Sequence, residues 1–357
     1  MRQISAAVCR RFGAPLTIET LSLSAPRAGE IHVDIDAVAI CHSDITLADG
    51  GWGGDLPAVY GHEAVGRVTA LGEGVRDLAL GARVLVTLIR ACGSCPTCAG
   101  GAPTQCAAPS AAAPLRDAQG EPVVAALNCG AFAEAVCVDR SQVAPIPDTI
   151  APEAACVLSC GVVTGLGAAV NTAKVRPGDW CVVIGAGGVG LNTIQGARLA
   201  GAARIVAVDV SDAKLAGALA FGATDVLRAS EDGRAAMLAL GRLADHVFVT
   251  VGAGPVIDGA LDWLAPHGTA YLVGMPHSGT VGHFDPVSAS YYGQGMRGTR
   301  MGDVVLARDI PWLLDLHSQG RLELETLVSG TYPLEAINDA IAATRAGQGR
   351  RNVVVME

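Results

Sequence analysis

WCVVIGAGGVGLNTIQGARLAGAARIVAVD, residues 180–209, decides the architecture of half the chain. The apolar run Cys181 to Ile184 leads straight into Gly185, Gly187 and Gly190, a G-x-G-x-x-G spacing, and a helix is predicted from about Val189 to Ala200, closed by Gly201. Spacing alone is a weak signal; strand before and helix after give it meaning. The first glycine permits a tight turn, the second lets a pyrophosphate approach the backbone, and the third lets helix and strand pack closely. Gly188 and Val189 complete the loop, and the helix N-terminus offers free N–H groups to phosphates. Asp209, 19 residues beyond Gly190, ends the next strand. There a carboxylate can bond the adenosine ribose hydroxyls and repel a 2′-phosphate, so NAD is expected over NADP.

The same alternation continues outward. A helix is predicted over Asp212–Ala220, closed by Gly222, and DHVFVTVG and TAYLVG are further buried strands with apolar PVIDGALDWLA between them. Such a β-α-β-α succession implies a parallel sheet with helices on both faces. After about Gly298 the chain reads as helix, strand, helix, strand, ending in NVVVM. The first 150 residues read instead as short strands and turns. In EIHVDIDAVAIC, Ile31, Val33 and Ile35 alternate with His32, Asp34 and Asp36, the pattern of a half-buried strand that delivers Cys41 at its end.

Composition fits two domains: 357 residues, half of them hydrophobic, only 17% charged, and 4% aromatic, so the core is mostly Ala, Val and Leu. A net charge of −9 argues against nucleic acid and anionic membrane as partners. The opening MRQISAAVCRRFGAPL has no apolar stretch of leader length, and no run approaches the roughly 18 apolar residues of a membrane span. A cytoplasmic protein is expected. In that reducing compartment eleven cysteines point to metal before disulfides.

ACGSCPTCAGGAPTQC, residues 91–106, places Cys92, Cys95, Cys98 and Cys106 in C-x2-C-x2-C-x7-C spacing. Four thiolates close a tetrahedral zinc shell and leave no position for substrate, so this site is structural and chemistry belongs elsewhere. A second set is scattered: Cys41 in CHSD, His62 and Glu63 in GHE, Cys160 in LSCGVVTG. Taken singly, each reads as an ordinary buried residue.

Their order along the chain changes that. Cys-x-Ser-Asp, Gly-His-Glu, the four-cysteine loop, Ser-Cys-Gly-x-x-Thr-Gly and GAGGVG together resemble the zinc-dependent medium-chain alcohol dehydrogenases over nearly the whole sequence. The likeness is strongest to the liver-type and glutathione-dependent formaldehyde dehydrogenase branch, through CGVVTGLGAAVNTAKVRPGD. The resemblance implies an α/β protein: a GroES-like β-rich catalytic domain of residues 1–155 and 298–357, and a Rossmann doubly wound parallel-sheet domain of residues 156–297. It also implies a homodimer, or a tetramer, with HGTAYLVGMPHSGTVGHF near the associating edge.

For the site it implies two zinc ions per chain: a structural one on the four-cysteine loop and a catalytic one on Cys41, His62 and Cys160. Water or substrate oxygen takes the fourth position, with Glu63 close enough to exchange, and Asp44 orients His62. An alcohol oxygen on that zinc loses its proton near neutral pH, Ser43 accepts the proton, and hydride passes to the nicotinamide of NAD. His42 and Arg351 match positions that meet the cofactor's phosphates, Thr164 one beside the nicotinamide, and Lys214 one near the adenosine ribose; Val273 belongs to the same cofactor set. Liver-type ethanol enzymes complete the proton relay with a histidine five residues after the zinc cysteine. Here that residue is Thr46.

Trp52, Leu88 and Ala126 fall where the family lines its substrate pocket, two of them smaller than the usual phenylalanines. A medium-sized or aromatic primary or secondary alcohol is therefore expected rather than ethanol. One alternative is a dehydrogenase of the formaldehyde–thiol adduct, which needs a cationic site such as Arg90 or Arg116 would supply. Another is a nucleotide-binding module without catalysis.

Overall fold

The computed structural model describes residues 1–108, 113–229, 232–347 and 349–356. The chain divides into two units, Met1–Gly161 with Val305–Glu357, and Val162–Val304. The sequence reading puts these boundaries at 155/156 and 297/298. At the first boundary the β-rich unit extends further, because the segment carrying Cys160 is tied to it: the Ser159 hydroxyl donates to the Ala64 carbonyl at 2.9 Å; at the second it begins later, at Val305.

That unit is built from two β systems. Strands Arg2–Cys9, Thr17–Leu23, Leu115–Arg116, Pro122–Ala125 and Ala58–Val59 close a small barrel. A seven-stranded sheet runs Val143–Pro145, Arg83–Val86, Glu63–Leu71, Glu30–Ala39, Arg351–Val355, Val328–Pro333, with Ala135–Asp139 also paired to Glu30–Ala39. The chain's last strand thus returns to lie antiparallel to Glu30–Ala39. The expected alternation is visible there: Ile31, Val33 and Ile35 are buried while Asp34 and Asp36 are partly exposed. It breaks between Ile35 and Ala37, where the register with Glu63–Leu71 shifts, and Ala37 to Ala39 are all buried. His32 departs from the pattern. It is buried because its Nε2 lies 2.7 Å from the Ser24 carbonyl, which satisfies the polar atom.

In the second unit six strands form one parallel sheet in the order Asp225–Arg228, Arg204–Asp209, Trp180–Ile184, Ala244–Val249, Leu264–Leu272, Gly295–Gly298. The order reverses beside Trp180–Ile184, which creates the crevice at the C-terminal strand ends where open α/β sheets take ligands. Val182, Val206, Val208, Val247 and Val249 fill the interior, the β-branched run of a sheet covered on both faces. Helices Gly188–Leu199 and Asp212–Ala220 stand where the sequence places them. The apolar stretch PVIDGALDWLA folds as a short helix, Gly254–Asp258, followed directly by a 3-10 turn, Gly259–Trp263. Among the described residues no single helix is long and apolar enough to cross a membrane.

Candidate active site and nucleotide loop

Strand Glu30–Ala39 ends two residues before Cys41, which caps helix His42–Ala48. Asp44, in the first turn of that helix, is almost fully buried and organises what surrounds it. Its Oδ2 accepts the Cys41 N–H at 3.0 Å, and its Oδ1 accepts the Gly61 N–H at 3.0 Å and lies 3.0 Å from His62 Nδ1. Gly61 has φ +93°, and a Cβ there would lie 2.6 Å from Phe132, so only glycine lets the chain turn into His62 at this point. With Nδ1–H donated to Asp44, the imidazole presents Nε2 to the site, where Ser43 Oγ lies 3.4 Å away.

Cys41, His62, Glu63 and Cys160 are all buried, and their donor atoms lie within 4.8 Å of one another. Donors held at 2.0–2.3 Å from one ion lie within about 4 Å of each other, and two thiols with an imidazole are a zinc set. Electrostatics agree with a cation. The two thiols are hydrogen-bonded to each other; that bond, helped by His62 and Arg351 against burial, holds the Cys41 thiol well below the usual range while Cys160 is pushed well above it. Two adjacent buried thiolates repel each other, and a dication between them is what lets both ionise. Burial tends to lower the His62 pKa, but Asp44 outweighs it and the net shift is upward, which makes Nε2 a stronger electron-pair donor. Burial pushes the Glu63 carboxyl up to about 8 against the pull of Arg351. Neither Glu63 oxygen makes a hydrogen bond among the described residues, a costly state that a dication relieves.

Arg351 is only 5% exposed, its Nη2 3.4 Å from Glu63 Oε1. A Cβ on Gly161 would come within 2.3 Å of that nitrogen. Its charge faces the metal set, a placement that the pair Arg350–Arg351 near the C-terminus does not announce in sequence. His42 is exposed at the start of its helix, and Thr46 donates to the His42 carbonyl at 3.0 Å. Trp52, Leu88 and Ala126 are half-buried.

The four-cysteine loop forms a second cluster, with donor atoms again within 4.8 Å. The Cys95 N–H donates to Cys92 Sγ at 3.3 Å and the Cys92 N–H to Cys106 Sγ at 3.4 Å, so the backbone already favours thiolates. The Thr97 hydroxyl, then backbone N–H groups, pull Cys95 down to about 5, whereas desolvation and the neighbouring thiols push Cys98 up to about 12. One charge is welcome and four are not without a dication.

In the second unit, Gly185 has φ +101° and Gly187 caps helix Gly188–Leu199. A Cβ on Gly190 would lie 1.8 Å from the Gly185 carbonyl oxygen, whereas nothing lies within 4 Å of one on Gly187, which leaves that glycine's face open for a ligand. Asp209 does more than the sequence suggests: it is 9% exposed, Oδ2 accepts the Ala186 N–H at 2.8 Å and Oδ1 the Ser211 N–H at 2.9 Å. Thr164 and Val273 are buried in this unit and Lys214 is half-buried one turn into its helix. The Thr164 hydroxyl is 3.5 Å from Met301 Sδ.

Comparison with known proteins bears on both units. The alcohol dehydrogenase GroES-like domain matches residues 27–148 and the zinc-binding dehydrogenase domain residues 188–319. The chain is 34% identical to an NDMA-dependent alcohol dehydrogenase of Amycolatopsis methanolica, covering 98% of each. It is 33% identical to geraniol dehydrogenase of Castellaniella defragrans (98% of this chain, 97% of the relative) and 31% identical to S-(hydroxymethyl)glutathione dehydrogenase of Paracoccus denitrificans (98% and 99%). Among solved structures, an alcohol dehydrogenase zinc-binding domain protein from Burkholderia ambifaria superposes with a TM-score of 0.94 at 36% identity, covering 100% of this chain and 99% of that one. Benzyl alcohol dehydrogenase of Acinetobacter calcoaceticus superposes with 0.93 at 28%, covering all of both.

Proposed function

Because this chain belongs to the zinc-dependent medium-chain alcohol dehydrogenase family, we propose that its own reaction is the reversible, NAD-linked oxidation of a medium-sized or aromatic alcohol at the Cys41, His62 and Cys160 centre. The observation that carries this is the buried Cys41–His62–Glu63–Cys160 cluster with Ser43 Oγ beside His62 Nε2. Zinc held there supplies Lewis-acid chemistry for a substrate oxygen, and a nicotinamide dinucleotide on the GAGGVG loop supplies the hydride acceptor. The chain's residues do the rest. Ser43 takes the substrate's hydroxyl proton; Asp44 fixes the His62 tautomer; Arg351 balances Glu63 so that a carboxylate can sit among thiolates. Thr46, whose hydroxyl donates to the His42 carbonyl, stands where a relay histidine would, so no imidazole at that position carries the proton on from Ser43.

For the substrate, the support is the modest size of Leu88 and Ala126 in the pocket-lining set and the names of two similar proteins, a geraniol and a benzyl alcohol dehydrogenase. The formaldehyde–thiol adduct is the second reading, favoured by the Paracoccus relative. Its cationic candidates are already engaged: Arg90 lies 3.7 Å from Asp139, and Arg116 donates to the Gly120 carbonyl at 3.0 Å. Comparing kcat/KM for benzyl alcohol, geraniol, hexanol and ethanol, with and without added glutathione and formaldehyde, tests the choice. A thiol-dependent rate exceeding all the plain alcohols, or an ethanol preference, removes the leading reading.

We read the chain as a homodimer through the parallel-sheet edge. Strand Gly295–Gly298 is the last of that sheet, and Met275, Val281, Phe284, Val287 and Tyr291 nearby in sequence are exposed apolar residues. An edge strand with such neighbours is a ready template for pairing. A single-chain mass by light scattering removes this reading.

A further inference from the structure

The segment that bears Leu88 and the segment that bears Ala126 are joined by one buried amide. Gln142 ends the 3-10 turn Arg140–Gln142 and is only 1% exposed. Its Nε2 donates at 2.9 Å to the Thr87 carbonyl, 55 residues back in the chain, and at 2.9 Å to the Asn128 carbonyl, 14 residues back. Its Oε1 accepts the Asp139 N–H at 3.2 Å. Two carbonyls on one side and an N–H on the other fix which way the amide points.

Each of those carbonyls stands close to a residue of the pocket-lining set. Thr87 precedes Leu88 and is fully buried. Its hydroxyl accepts the Ile89 N–H at 2.9 Å, and its own N–H donates to the Gln142 carbonyl at 2.9 Å, so the backbone is pinned on each side of Leu88. The Cys129 thiol donates to the same Thr87 carbonyl at 3.0 Å. Asn128 lies two residues after Ala126, and Leu127 and Asn128 have φ of +53° and +58°. Left-handed backbone is costly for a bulky side chain such as leucine and persists only where surrounding contacts over-determine it. The Gln142 amide is such a contact, made from the interior.

We propose that Gln142 is a positioning residue for alcohol specificity: its amide holds the Leu88 and Ala126 segments at a fixed separation and so sets the width of the pocket, without itself touching substrate. This rests on the reading of Leu88 and Ala126 as pocket-lining residues that favour a larger alcohol. An apolar pocket discriminates by fit, roughly 10- to 200-fold per methylene. A wall freed to shift by a fraction of a methylene's width corresponds to about a two- to tenfold loss of discrimination.

The test is steady-state kinetics of the zinc-loaded protein with NAD and ethanol, hexanol or benzyl alcohol, with Tm and zinc content measured alongside. Wild type is set beside Gln142→Met, which keeps the volume and loses the side chain's hydrogen bonds, and Gln142→Asn, which keeps the amide but is one methylene short. Expected in both variants is a fall in the kcat/KM ratio of benzyl alcohol to ethanol of about twofold or more, centred on about fivefold and carried mainly by the KM for benzyl alcohol. A role confined to stability would lower Tm and scale the rate on every alcohol by the same factor. A ratio changed by less than about twofold therefore overturns the proposal, whatever happens to Tm. Should neither variant fold, Cys129→Ala, which removes the second donor to the Thr87 carbonyl, decides: the ratio should fall by about twofold, and an unmoved ratio overturns the proposal. A wild-type protein that oxidises no alcohol, or that prefers ethanol, overturns the alcohol reading itself, a failure distinct from that of Gln142.

Discussion

Asp44 Oδ1 lies 3.0 Å from His62 Nδ1, and both side chains are buried. The same carboxylate accepts the backbone N–H groups of Cys41 and Gly61, so one residue sets the position of two of the three protein donors proposed for the catalytic zinc. Asp44→Ala should therefore weaken zinc binding at this centre by about 10- to 100-fold. Competition with a chelator of known affinity measures it; unchanged affinity means that the strand and helix alone orient His62.

Cys41→Ser and Cys160→Ser each remove a soft donor from the same centre. Turnover should fall by about three orders of magnitude or more, as expected when several kcal/mol of Lewis-acid stabilisation is lost. NADH binding by fluorescence should persist, since the nucleotide loop lies in the other unit. Retained turnover in either variant refutes the ligand assignment.

Cys98→Ser opens the four-thiol shell, so Tm should drop and zinc content should fall by about one ion per chain. Addition of a strong chelator to the wild-type protein should lower Tm in the same direction. Calorimetry with metal analysis reads both effects, and a Tm that ignores both treatments would mean the loop folds without its ion.

Asp209→Gly should narrow the gap between NAD and NADP, and the structure sets the manner. Its carboxylate tethers Ala186 and Ser211, so the gap closes chiefly by loss of NAD affinity as the loop loosens. Dissociation constants for both cofactors decide this; an unchanged ratio means another residue sets the choice.

Asp245 gives a pH dependence away from either metal set. Burial tends to raise its pKa, but hydrogen bonds from Arg242 and from the Trp180 N–H outweigh that and the net shift is downward. A carboxylate depressed in the folded state contributes stability that is present above its unfolded pKa of about 3.9 and is lost as pH falls through the folded value. The pair is partly exposed, so Asp245→Asn should cost only about 0.5–1 kcal/mol near pH 7, and the difference should shrink below about pH 4. Urea unfolding of both proteins at pH 7 and pH 3 checks the sign; an equal difference at both values contradicts it.

Much of this was legible in the linear sequence, for reasons that differ by region. Strand Trp180–Ile184 and the helix after Gly187 are written in local pattern, an apolar run, then glycines, then a helix-length stretch closed by Gly201. Strand Asp225–Arg228 and edge strand Gly295–Gly298 are short and carry little burial, so periodicity has nothing to register. The four-cysteine loop is a local spacing, readable at once. Cys41, His62 and Cys160 are far apart in sequence, and only the family's motif order joins them. The burial of Arg351 against Glu63 and the double tether made by Asp209 depend on long-range contacts that no window of sequence contains.

We propose that Cys41, His62 and Cys160 form a working catalytic metal centre. Zinc content per chain, determined together with initial rates of NAD reduction on ethanol, hexanol, geraniol and benzyl alcohol, tests it most directly. About two zinc ions per chain and turnover that favours the larger alcohols are expected. A protein that carries both ions and binds NADH yet oxidises none of these alcohols, and reduces none of the matching aldehydes, would contradict it.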